Sequence, residues 1–225
     1  MDNEVLRQAP LFSALDDEAA TALRASMSET KLRRGDVLIH EGDAGDKLYV
    51  ITDGKVKLGR TSSDGRENLL AILGPGQMFG ELSLFDPGPR SATVTAVTDT
   101  AFASLSHEDL LRWLEGRPMV ARGLLTQLAG RLRKANDVVA DLVFSDVPGR
   151  VAKALLDLAD RFGRTADDGV HVHHDLTQEE LAQLVGASRE TVNKALADFG
   201  HRGWIRLEGK SVVLLDAERL SRRAR

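Results

Sequence analysis

The spacing of apolar residues changes along this chain from every second position to every third and fourth, and one architecture cannot satisfy both periods. From Lys31 the segments around Val37–His40, Lys47–Thr52, Lys55–Arg60, Asn68–Leu73 and Ala92–Leu105 are short and rich in Val, Ile, Leu and Thr. Between them lie Gly- and Asp-rich turns: EGDAGD, TDG, SSDGRE and GPGQ. Short strands punctuated in this way predict an antiparallel barrel or roll. A short helix over Asp16–Met27 precedes them, with Ala20, Leu23 and Met27 on its apolar side. After His107 the pattern is helical. Leu125, Leu128, Leu132, Ala135, Val139 and Leu142 follow one another at three and four, the a/d seam of a two-stranded coiled coil. A helix lying on its own domain is the alternative, but it would carry a wider apolar stripe. The narrow seam favours a parallel homodimer.

Within the strand-rich part, Phe79–Thr93 reads FGELSLFDPGPRSAT. Arg90 offers a planar fork of donors that suits a phosphate, and Ser91 can donate one more hydrogen bond. Glu81 only accepts, so it suits a sugar hydroxyl and would repel a bare phosphate. Gly80 lets the backbone approach a ligand where a Cβ would intrude. Together these groups predict a pocket for a sugar phosphate of low charge. The competing reading is a surface turn with an Arg–Glu ion pair, which carries little energy.

The last third contains a second informative segment, Asp175–Phe199. The helix before the boundary ends near Phe144, Asp146 caps the next, and Pro148 fits a first turn, so Ser145–Pro148 reads as a hinge. A helix over Val151–Phe162, a polar loop GRTADDG and a strand Val170–His173 follow. Thr177 and Glu180 have the spacing of a capping box, Gly186 breaks the helix, and Ser188 caps another. That second helix should turn Val192, Leu196 and Phe199 inward and Arg189, Glu190, Asn193 and Lys194 outward. Arg can grip guanine, Glu can accept from cytosine, and Lys can reach guanine or phosphate. The layout is a helix-turn-helix, followed by a hairpin wing over Gly203–Leu215. Arg202, Arg206 and Lys210 are candidate phosphate contacts, and the terminal RRAR is either a solvated tail or one more.

These two motifs, in this order, resemble the cyclic AMP receptor protein family of bacterial transcription regulators, in its actinobacterial branch. The resemblance spans residues 8–215 and implies an α+β chain in three parts. Residues 1–117 would form a cyclic-nucleotide-binding β-roll, 118–144 a dimerisation coiled-coil helix, and 145–225 a winged helix-turn-helix. It assigns the ribose 2′-hydroxyl to Glu81 and the cyclic phosphate to Arg90 and Ser91, with Gly80 and Leu82 completing the cassette. On the helix, Arg131 matches an arginine near the ribose phosphate and Asn136 a polar residue near the base. In the reader, Thr177, Ser188, Arg189, Glu190, Asn193 and Lys194 fall on the DNA-facing positions. Cyclic AMP is the implied allosteric ligand, with double-stranded DNA, a second copy of the chain and RNA polymerase as partners. The loop Gly163–Gly169 is a candidate polymerase contact. Two readers on a two-fold axis imply a palindrome with half-sites about 34 Å apart. The chain departs from the family pattern at Lys194, which lacks an arginine's fork, and at Ala135 and Ala71, which lack hydroxyls for the base.

Composition excludes other classes. The chain has 225 residues, 42% hydrophobic and 28% charged, as expected of a soluble globular protein. Without cysteine it has no disulfide, thiolate nucleophile or iron–sulfur cluster. No run of about 18 apolar residues could cross a membrane, and MDNEVLRQAP lacks a signal peptide's apolar core, so the chain reads as cytoplasmic. His171, His173 and His174 lack a paired third ligand and read as structural or solvated rather than metal-binding. No nucleophile–base pair, metal triad or Walker loop marks an enzyme. A regulator without a ligand, one with a different ligand, or a cyclic-nucleotide-binding interaction module remain as alternatives. The net charge of −4 argues against indiscriminate nucleic-acid binding. From Thr177 onward Lys and Arg outnumber Asp and Glu, which permits a focused contact.

Overall fold

The computed structural model describes residues 15–86, 88–115 and 117–224, together with Val5, Gln8 and Ala9. The rest of the N-terminal run read as lacking a signal, Pro87 of the cassette and Arg225 lie outside the described residues. The chain divides into two compact units: Met1–Asp64 with Leu70–Lys134, and Gly65–Leu69 with Ala135–Arg225.

In the first unit, α1 (Asp17–Ala25) is capped by Asp16, which accepts from the Ala19 amide at 2.8 Å. The helix ends before Met27, and Ser28–Leu32 forms β1, a strand the sequence pattern did not reveal. β2 (Val37–Ile39), β3 (Lys47–Asp53), β4 (Val56–Thr61), β5 (Glu67–Leu73) and β6 (Met78–Phe79) follow. A four-residue helix, α2 (Leu82–Phe85), interrupts the cassette before β7 (Thr93–Ala96) and β8 (Thr100–Ser106). The strands form two sheets, ordered β1-β8-β3-β6 and β2-β7-β4-β5. The stretch Ala92–Leu105, expected as one strand, is two, one in each sheet. The break falls where Val97 and Thr98 bond to Lys55 and where a Cβ on Gly54 would meet the Asp99 carbonyl at 2.3 Å.

β3 shows how a short, continuous apolar run becomes a strand with both faces covered. Leu48 and Val50 enter one core with Leu23, Met78, Ala103, Leu105 and Leu110, while Ile51 enters another with Ile39, Val56, Phe79, Val94 and Phe102. Both faces of the strand are thus covered, each buried Leu or Val contributing about 1.5–3 kcal/mol. The first core lies under α3 (His107–Leu114) and the start of α4 (Pro118–Phe144), which supplies Val120 and Leu124 one turn apart.

The second unit begins within α4. Asp146 caps α5 (Val147–Phe162), accepting from Gly149 at 2.9 Å, and Pro148 sits in the first turn as expected. The expected polar loop GRTADDG contains β9 (Gly163–Ala166), which forms a hairpin with β10 (Gly169–His173). These strands join β11 (Ile205–Glu208) and β12 (Ser211–Leu214) in a sheet ordered β11-β12-β10-β9. Helices α6 (Gln178–Val185), α7 (Arg189–His201) and α8 (Ala217–Arg223) complete the unit. The mixed helix and sheet architecture is the α+β arrangement expected.

Candidate functional site

The cassette residues converge. Gly80, Glu81, Leu82, Arg90, Ser91 and Arg131 line one pocket, closed on its apolar side by Ile39, Leu58, Phe79 and Val94. Local backbone chemistry sets this up. Gly80 has φ +86°, a left-handed conformation glycine adopts without strain, and it turns the chain from β6 into the cassette. A Cβ there would lie 2.8 Å from both Arg90 Nη1 and the Lys47 carbonyl oxygen. Arg90 is 6% exposed. Its Nη1 donates to the Gly80 carbonyl at 2.8 Å and its Nη2 to the Lys47 carbonyl at 2.9 Å. The main chain of Arg90 is also fixed, its amide to the Asp43 carbonyl at 2.8 Å and its carbonyl to the Gly42 amide at 2.9 Å.

Glu81 is 1% exposed, and its Oε1 accepts from Arg131, which also donates to the Met78 carbonyl. Its other oxygen, Oε2, is buried without a hydrogen-bond partner. An unpaired buried acceptor costs about 1–3 kcal/mol, so a ligand hydroxyl that satisfies it binds with that advantage. Arg90 and Arg131, both lining the pocket, complement a singly charged phosphate. The arrangement can hold a ligand by one hydroxyl and one anionic group against an apolar wall. The main-chain partners Lys47 and Met78 carry no sequence signal, because any residue offers a carbonyl. Asn136, by contrast, is exposed on the part of α4 that belongs to the second unit.

In the second unit, Thr177 Oγ1 accepts from the Glu180 amide at 3.1 Å and Glu180 Oε2 accepts from the Thr177 amide at 2.8 Å, completing the capping box. Gly186 ends α6 with φ 69°, and Ser188 Oγ accepts from the Thr191 amide at 3.2 Å to start α7. Val192, Ala195, Leu196 and Phe199 are buried, and Arg189, Glu190 and Lys194 are exposed. Lys194 and Glu190 form an ion pair at 2.7 Å. Asn193 departs from the outward expectation: it is half-buried, and its Oδ1 is enclosed without a partner.

The wing carries surface ion pairs. Arg206 is held by Asp168 at 2.7 Å and Glu208 at 2.8 Å, and Arg202 by Asp198 at 2.7 Å. Both arginines stay exposed, and surface pairs of this kind compete only weakly with a phosphate. Hydrogen bonds from Arg206, then from His171, hold Asp168 down to about 2. His173 Nδ1 lies 2.7 Å from Ser211 Oγ, and buried His174 accepts from the Leu176 amide at 3.1 Å. Near the hinge, Arg150 donates to three carbonyls: Ser145 at 2.8 Å, Val185 at 3.1 Å and Gly186 at 3.2 Å.

Residues 29–117 match the family profile of the cyclic nucleotide-binding domain, and residues 149–223 that of the Crp-like helix-turn-helix domain. Sensor roll and DNA reader in one chain define a DNA-binding transcription regulator, not an enzyme. The chain is 56% identical over 223 residues to the CRP-like cAMP-activated global transcriptional regulator of Mycobacterium tuberculosis, covering 99% of this chain and 100% of that one. It is 37% identical over 212 residues to the cyclic AMP receptor protein of Thermus thermophilus, covering 94% and 95% of the two chains. Among solved structures, FixK2 from Bradyrhizobium japonicum superimposes with a TM-score of 0.79 at 25% identity, over 88% of this chain and 98% of that one. The chain belongs to the cyclic AMP receptor protein (CRP) family of transcription regulators.

Proposed function

We propose that the protein is a homodimeric regulator that binds cyclic AMP in the pocket of Glu81, Arg90, Ser91 and Arg131 and thereby engages palindromic DNA through α7. The observation that carries the ligand reading is the bare Oε2 of Glu81, buried in the pocket that Arg90 also lines. A ribose 2′-hydroxyl supplies the missing donor, and a cyclic phosphate, with a single charge, suits Arg90 and the Ser91 hydroxyl. The Mycobacterium tuberculosis relative carries the words "cAMP-activated" in its name, which supports the same nucleotide. Asn136 enters this reading only as the polar helix residue that the family resemblance assigns to the base.

A second copy of the chain is the partner for α4. Leu125 and Leu132 are each 65% exposed and Val139 61%, on the seam that the heptad spacing marks. Leaving such a line of apolar side chains in water forgoes about 25 cal/mol per Å² of burial. Arg189, Glu190 and Lys194 at the start of α7 would read base edges, with Thr177 and Ser188 near the phosphates. RNA polymerase and a cytoplasmic location belong to the same reading. The domain division at residues 117 and 144 goes with it: roll, dimer helix and reader.

Calorimetry with cyclic AMP on the intact protein and on Arg90→Ala tests the pocket. Binding is expected to the first and lost in the second, and equal binding would remove the assignment. Fluorescence anisotropy with a labelled palindrome tests the reader. Cyclic AMP should tighten binding, and Arg189→Ala should weaken it by about 1–3 kcal/mol without changing affinity for random duplex.

A further inference from the structure

We propose that Tyr49 is a positioning residue for the phosphate end of the pocket, its ring fixing the Arg90 guanidinium in the place where it meets the ligand. This rests on the ligand reading above. Tyr49 lies on β3, where its register partner in β6 is Phe79. The two rings stack with centroids 5.3 Å apart and planes inclined by 11°. Phe102 braces both edge-on, at 6.3 Å from Tyr49 and 5.8 Å from Phe79. A ring held by two others keeps one orientation, and that orientation turns Tyr49 towards Arg90.

The Arg90 guanidinium carbon lies 6.0 Å from the Tyr49 ring centroid, within the range of cation–π attraction. Lys47, whose carbonyl receives Arg90 Nη2, is two residues earlier on the same strand, so β3 supplies both a carbonyl and a ring to one cation. Gly80 belongs to the same cluster. A Cβ on it would clash with Arg90 Nη1 at 2.8 Å and touch Tyr49 Cδ2 at 3.4 Å, so glycine is what leaves room for the arginine beside the ring. Space-filling alone would be met by any apolar side chain of similar size. Attraction to a cation needs the face of an aromatic ring, and this difference separates the two roles.

The phenol senses the same contact. Burial pushes its pKa above the ordinary value, the Arg90 cation pulls it back down, and Asp46 pushes it up. A phosphate bound to Arg90 offsets that cation, so the phenol should become harder to ionise when the pocket is occupied. Tyr49 is the single tyrosine of the chain, so any tyrosine signal belongs to it.

The test labels the full chain with ¹³Cζ-tyrosine and follows the resonance by NMR through the alkaline titration; should alkali unfold the protein, the affinity of Tyr49→Leu decides. Arg90→Gln without ligand should move the phenol titration upwards, and cyclic AMP should do the same in the wild type. Tyr49→Phe should bind cyclic AMP within about twofold of wild type, and Tyr49→Leu about five- to tenfold more weakly, with a displaced ³¹P resonance of the bound nucleotide. An unmoved tyrosine signal in Arg90→Gln, or wild-type affinity in Tyr49→Leu, would overturn the proposal. Should Tyr49→Leu not fold, the Arg90→Gln shift decides alone. If Arg90→Gln moves the signal while calorimetry finds no cyclic AMP bound to the wild type, the nucleotide reading falls and the Tyr49–Arg90 coupling stands.

Discussion

Arg131 and Glu81 form an ion pair that is buried on one side only: the carboxylate side chain is 1% exposed and the guanidinium 34%. The two partners should therefore be unequal in their removal. Arg131→Met leaves a buried anion without compensation and should destabilise the first unit by about 1–3 kcal/mol, the partly exposed arginine keeping the figure below that of a fully buried pair. Glu81→Gln leaves an arginine that can turn to water and should cost about 1 kcal/mol. Urea unfolding of the two variants checks the order. A larger loss in Glu81→Gln would mean that burial does not govern this pair.

Gly80→Ala should damage both folding and binding. The new Cβ would sit in a left-handed backbone at φ +86°, 2.8 Å from the group that holds Arg90. The backbone strain alone costs about 1–2 kcal/mol, and displacement of Arg90 should lower cyclic AMP affinity by about tenfold or more. Thermal unfolding and calorimetry report the two effects separately. A variant that melts lower yet binds normally would show that Arg90 tolerates the intrusion.

Leu132→Lys should give a folded monomer. A charge at the middle of the a/d line must be buried if two copies of α4 pair there, whereas in a single chain this side chain is 65% exposed and the substitution is harmless. Sedimentation equilibrium gives the mass and circular dichroism the fold. A variant that remains dimeric would place the pairing surface elsewhere.

Acid should weaken the second unit partly through Asp168. Its carboxyl titrates at about 2 in the folded chain against an ordinary value of 3.8, through hydrogen bonds from Arg206 and His171. A depressed folded value means that the stabilisation is complete above the unfolded value and is lost as the pH falls through the folded one. Wild type should therefore melt above Asp168→Asn at neutral pH, and the two should converge as the pH falls from 3.8 towards 2. Parallel melting curves across that range would separate Asp168 from the acid response.

What the sequence made legible were features whose cause is local. The capping box at Thr177 and Glu180, the cap at Asp146 and the glycine at 186 are each fixed within four residues, and the structure contains all three. The short apolar run LYVI marked β3 because both its faces are buried. β1 escaped, since SETKL has no apolar alternation and is a strand only through its pairing with β8, more than sixty residues away. β9 escaped likewise: GRTA becomes a strand by pairing with β10. In the pocket, the residue types of the cassette named the candidates. Arg131 closing on Glu81 joins positions 50 apart, and the carbonyls of Lys47 and Met78 are invisible to any reading of side chains. Arg202 and Arg206 show the converse, where charge pattern alone did not reveal their surface pairs with Asp198 and Asp168.

Arg150 joins the stretch after α4 to the turn before α7 through one rigid, planar group. The carbonyl of Ser145 and those of Val185 and Gly186 all bond to it, so neither stretch can slide without tearing a bond to a charge. Any displacement of the chain at Ser145 is thus passed directly to the turn that starts α7.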